Sequence, residues 1–186
     1  DPARREGNLA FEAIMARRTA HAYRSEPLPG GCVERGLEAA NHAPCHRKTF
    51  PWRFVRVGPK ARAVLADLAV AIKAAKRPLP AEEASRVAAK FLEPPELVVA
   101  CQLRSPDPFQ AREDYAACAC AIQNFMLSLA EDGIGSKWMT GALGAAPEDV
   151  MAAVGAPAGE KLMGAIWYGY PAKDLAEDAK APPRKK

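Results

Sequence analysis

The chain has 186 residues, 49% of them hydrophobic, 26% charged and 7% aromatic, ordinary proportions for one globular domain with a sizeable core. Arg184, Lys185 and Lys186 supply three of the four formal positive charges, so the rest is nearly neutral and a nucleic-acid surface is not expected. The most apolar stretch, 63–72, is interrupted by Asp67, and a bilayer span needs about 20 apolar residues, so no membrane segment is expected. In chain order, a helix over 9–18 carries Phe11, Ile14 and Met15 and ends at a polar Arg-Arg-Thr. Pro27, Pro29, Gly30 and Gly31 form a loop. A second helix, 32–41, puts Val33, Leu37 and Ala40 on one face. Pro44 and Pro51 bracket an irregular polar loop, and 52–57 alternates Trp52, Phe54 and Val57 with Arg53 and Arg56, a strand pattern. Helices follow over 61–76 and 81–92, the latter fenced by Pro78 and Pro80 before it and Pro94-Pro95 after it. The run 96–102 is a short buried strand.

The helix predicted over 113–132 is apolar nearly all round, which places it centrally or at a subunit interface. Gly133-Ile134-Gly135 stops it. A short helix over 147–154 and a last strand over 161–170 complete the pattern, and from Pro171 the composition turns to Ala, Pro and charge. These elements predict a helix-rich α+β domain with a small sheet. Its expected bounds are 9–172, between an N-terminal extension, 1–8, and a charged tail, 173–186.

Several chemistries are missing from the motifs. There is no dinucleotide-type or Walker-type glycine loop and no Gly-x-Ser-x-Gly elbow. The N-terminal residues have no apolar core of a secretory signal, and the five cysteines form no regular framework, so reduced thiols in a cytoplasm are expected. Cys118 and Cys120 point to opposite sides of a helix. His42 and His46 are spaced for a helical metal pair, but Ala43-Pro44 between them ends the helix, and no metal is expected. Cys45 beside these histidines suits a small residue in a polar loop better than a nucleophile. Arg17-Arg18-Thr19 is more informative: two guanidinium forks and a hydroxyl suit a phosphate. A basic helix end complementing the macrodipole explains the same residues equally well. The stretch 133–141, GIGSKWMTG, could wrap a flat ligand, or serve only as a helix stop and turn.

Taken in order, these pieces resemble the nitroreductase family of flavoproteins, closest to its small, short-chain branch. The resemblance rests on Arg17-Arg18-Thr19 after a first helix and on a helix ending in Ala43-Pro44-Cys45-His46. Pro51-Trp52-Arg53-Phe54 entering a strand adds to it, as do the Ala-Ile-Gln-Asn helix, Gly133 to Gly141, and a strand ending Tyr168-Gly169-Tyr170-Pro171. It implies a nitroreductase-like α+β fold, a small mostly antiparallel sheet surrounded by helices, in an obligate homodimer with the helix 113–132 at the interface. It implies FMN, held by Arg17, Arg18 and Thr19 through phosphate and ribityl chain. His42, where the family often has Arg, and His46 would lie against FMN, often from the partner subunit. Trp138, Met139 and Thr140 would pass the isoalloxazine edge, and Gly133 and Ile134 would meet the nicotinamide nucleotide. Arg184 or Lys185 would touch the phosphate. The implied activity is transfer of hydride from NADH or NADPH through flavin N5 to small electron-poor acceptors (nitroaromatics, quinones or activated alkenes) by a ping-pong mechanism. No catalytic side chain is expected, because the flavin carries the chemistry. A reductive dehalogenase, a flavin-fragmenting enzyme and a non-catalytic flavin-binding protein are the alternatives.

Overall fold

Two runs with no polar face, Glu96–Gln102 (β2) and Lys161–Gly169 (β4), form the middle of a sheet. Such strands are stable only when covered on both sides, and here they are. In the computed structural model, which describes residues 9–173, Trp52–Arg56 (β1) and Gly135–Met139 (β3) flank them in the order β1-β2-β4-β3. Every pairing is antiparallel. The extension 1–8 and the tail from 174 onward, Arg184 included, lie outside the described residues.

Alternation along β2 and β4 divides the interior into two cores. Val98, Ile166 and Tyr168 face one side, where Cys32–Asn41 (α2) packs on Pro108–Glu131 (α5). Leu97, Val99, Ala165 and Trp167 face the other, covered by Pro59–Ala74 (α3), Ala81–Leu92 (α4) and Pro147–Ala153 (α6). Among the described residues, the first helix, Leu9–Ala16 (α1), buries none of its residues.

Two elements differ from the sequence reading. Helix α5 begins five residues before 113, because Asp107 caps it: its carboxylate accepts the Phe109 N–H at 3.0 Å, and Pro108 fills the first turn. The region read as a turn contains strand β3. Its glycines hid it, since Gly133 (φ 72°) ends α5 by allowing a left-handed backbone, while Gly135 already pairs with Gly169. Another glycine, Gly164, makes room on β4: a Cβ there would lie 2.5 Å from Trp138 Nε1.

Candidate functional site

After α1 the backbone runs extended along the free edge of β3. Thr19 forms a parallel bridge with Ser136, and the Ala20 N–H donates to the Ser136 carbonyl at 3.1 Å. Further on, the Arg24 N–H donates to the Tyr170 carbonyl at 2.8 Å, and the Ala172 N–H to the Ala22 carbonyl at 3.0 Å. The Tyr23 hydroxyl lies 3.0 Å from the Ala20 carbonyl and 3.1 Å from that of Trp167, and burial pushes its phenol well above the ordinary range. The segment is thus pinned over most of its length, which fixes the side chains it presents.

Two concavities open beside this segment. The first, ≈ 490 Å³, is strongly basic: Arg17, Arg18, Arg24 and Lys173 line it together with Gly133, Ile134 and Ser136. Arg18 donates to the carbonyls of Met15 and Arg17, yet its Nε is buried without a partner, as is the Ser136 hydroxyl. Buried donors left unpaired cost free energy, so they mark a place prepared for an acceptor.

The second, ≈ 570 Å³, lies on the α3–α4 face of the sheet. Met139 and Thr140 line it with His21, Lys73, Lys90 and Lys137 over a floor that includes Val87, Phe91 and Trp167. The Lys137 ammonium is held below its ordinary range, first by burial and then by the charge of Lys90.

The sequence-predicted residues therefore fall into groups. Arg17 and Arg18 meet Gly133 and Ile134 in one concavity, and Met139 and Thr140 enter the other. Thr19 is exposed on the segment that joins the two. Trp138 points to the opposite face from Met139; its ring lies over Gly164 and its indole N–H donates to the Met163 carbonyl at 3.1 Å. His42 and His46 line neither concavity. His42 sits exposed just past α2, 3.9 Å from Glu38, and His46 is exposed in the one-turn 3-10 segment His46–Lys48. Among the described residues, no three His, Cys, Asp or Glu side chains cluster closely enough to hold a metal ion.

Sequence reasoning missed His21, Lys73, Lys90 and Lys137. His21 carried a usable signal, two residues after Thr19 on an extended segment and hence on the same side. Lys137 shares a face with Met139 for the same reason, once 135–139 is known to be a strand. Lys73 and Lys90 carried none, because only the packing of α3 on α4 brings them together.

A model of the nitroreductase family matches residues 14–170. YfhC of Bacillus subtilis (strain 168), whose name provisionally gives it NAD(P)H nitroreductase activity, is 32% identical over 164 residues, 86% of this chain and 83% of its own. A nitroreductase-like family protein from Bacillus cereus superposes with a TM-score of 0.76 at 26% identity, covering 92% of this chain and 90% of its own. NfnB from sphigopyxis sp. strain HMH, described as an FMN- and NADPH-dependent nitroreductase, shares the fold at a TM-score of 0.71 and 18% identity over 88% of each chain. With its α+β architecture, antiparallel sheet and a match spanning nearly all its described residues, the chain belongs to the nitroreductase family.

Proposed function

We propose that the protein is an FMN-dependent oxidoreductase that takes electrons from NADH or NADPH and delivers them to small electron-poor acceptors. The observation that carries this reading is one pinned segment, 17–23, running between a basic concavity and a donor-lined cavity. A phosphate joined by a flexible chain to a flat heterocycle suits that arrangement.

The residues present fit FMN. Arg17, Arg18 and Thr19 hold the phosphate and ribityl chain, and the unpartnered Arg18 Nε and Ser136 hydroxyl supply donors without a structural job. His21 and Thr140 offer donors to the oxygens of the ring system. When bound, FMN supplies the reversible two-electron chemistry at its N5, and the protein supplies anchoring, orientation and charge. His42 and His46 reach a site only from a second copy of the chain. A homodimer supports that role and also covers α1, whose Leu9, Ile14 and Met15 are all more than half exposed.

Donor and acceptor would use one cavity in turn, so steady-state kinetics are expected to be ping-pong, with parallel double-reciprocal lines. Thr140→Ala is expected to slow turnover by about tenfold or less, the loss of one neutral hydrogen bond of roughly 0.5–1.5 kcal/mol. The deciding experiment is optical. Purified protein supplied with FMN should retain a flavin spectrum through dialysis, lose it on adding NADH or NADPH, and regain it with a quinone. Protein that retains no flavin under any condition refutes the reading.

A further inference from the structure

The larger cavity carries more positive charge than FMN binding requires. Lys73 comes from α3, Lys90 from α4 and Lys137 from β3, and none of the three makes an ion pair among the described residues. The acid on the lining, Glu93, is exposed. A shallower groove beside the cavity is lined by Lys73, Lys90 and Arg86; Arg86 pairs with Glu82 at 3.6 Å, and Glu83 is engaged by Arg77 through bonds of 2.6 and 2.8 Å. The phosphate of FMN does not account for this charge, because the other concavity already gathers Arg17, Arg18, Arg24 and Lys173.

Surface lysines usually point singly into water. Here lysines from three separate elements line one cavity with an apolar floor. Trp167, 4% exposed, forms part of the floor. Phe91 and Trp167 stand edge to face there with centroids 5.4 Å apart, a surface for a flat ring. A planar anion suits lysines set around an apolar floor.

We propose that the cavity selects acceptors that carry a negative charge, planar carboxylates above all, with Lys73 and Lys90 receiving the carboxylate at the mouth. The proposal rests on the reading that electrons are delivered in this cavity, and it narrows the acceptor class.

The test uses the FMN-loaded protein with NADH as fixed donor and two acceptors of nearly equal shape, 4-nitrobenzoate and its uncharged counterpart 4-nitrobenzamide. Each nitro group reduced to the hydroxylamine consumes two NADH and two protons and releases one water. At low ionic strength kcat/KM should favour 4-nitrobenzoate by about fivefold or more, and the ratio should approach one in ~0.5 M salt, because screening weakens the attraction. In Lys73→Gln and in Lys90→Gln the ratio should fall at least about threefold at low salt, as each removes one charge from the mouth. A wild-type ratio at or below one with flavin bound, or a ratio unaffected by salt, overturns the proposal and leaves the FMN reading standing. The salt series needs no variant, so it decides even if a lysine variant fails to fold. Protein that binds no flavin and turns over neither acceptor overturns both.

Discussion

Arg17 and Arg18 sit side by side on the basic concavity. Arg18 already donates to two carbonyls that close the end of α1, so part of its guanidinium is structural. Arg17→Ala is expected to lower FMN affinity at least tenfold, a charge-assisted bond to phosphate contributing about 1.5–3 kcal/mol. Arg18→Ala is expected to lower it less and to reduce thermal stability as well. Fluorescence titration of apoprotein with FMN measures the first effect, and a fully loaded Arg17→Ala protein after dialysis would contradict it. The cysteines give a second residue-scale expectation. Burial pushes the thiols of Cys101 and Cys118 up to about 12, with nearby Glu160 and Asp114 respectively adding to the effect. Both stay protonated in the fold while the unfolded chain ionises them from about pH 9. Their contribution to stability is complete below that pH and is lost as pH rises toward 12. The stability advantage of wild type over Cys118→Ala should shrink across that window in denaturant titrations. At pH 8 a thiol reagent should label partly buried Cys45 in native protein and spare Cys32, Cys101 and Cys118.

The loop between α2 and β1 shows how an element is held in an unfavourable shape. Arg47, Lys48 and Phe50 have φ of 58°, 52° and 44°, and each left-handed non-glycine residue costs roughly 1–2 kcal/mol. Buried Asp114 on α5 braces it. Its carboxylate accepts from Thr49 Oγ1 at 2.6 Å and from Gln110 Nε2 at 2.8 Å, while the Phe50 N–H donates to Cys45 Sγ at 3.1 Å. His46 rides on this loop, so the strain lies where the proposed dimer needs a side chain placed. Asp114→Asn is expected to cost about 2 kcal/mol, roughly 4–8 °C in Tm, and to weaken FMN binding in parallel. An unchanged melting temperature would show that the carboxylate is not the brace. On the sheet, Gly164→Ala is expected to displace Trp138, since the new Cβ has no room and φ of 140° resists a side chain. Loss of the tryptophan emission typical of the native protein would report it.

At the scale of the whole molecule, Ile14 and Met15 on α1 and Tyr115 on the outer face of α5 are each more than half exposed. Light scattering should give a particle about twice the 19.9 kDa chain, and Ile14→Glu, placing a charge on that face, should shift it toward monomer with loss of FMN. A wild-type monomer that keeps its flavin on dilution would contradict the assembly. Among the described residues no helix is long and apolar enough to cross a membrane.

The chain by itself determined most of the elements and the family. Local patterns suffice for both: α2, α4 and β2 have the bounds that apolar spacing and flanking prolines predict, because capping and burial period act within a few residues. Arg17, Arg18 and Thr19 were legible for the same reason, being three neighbours with one chemistry. The tertiary structure decided what depends on distant parts meeting. Strand β3 exists because Lys137 and Trp138 pair with Trp167 and Ile166, and β4 supplies hydrogen bonds that a glycine-rich segment could not secure alone. Lys73, Lys90 and Lys137 become one cationic cavity only when two helices and an edge strand close around it. Charge adds up through space rather than along the chain, so no local pattern in the sequence could have revealed it.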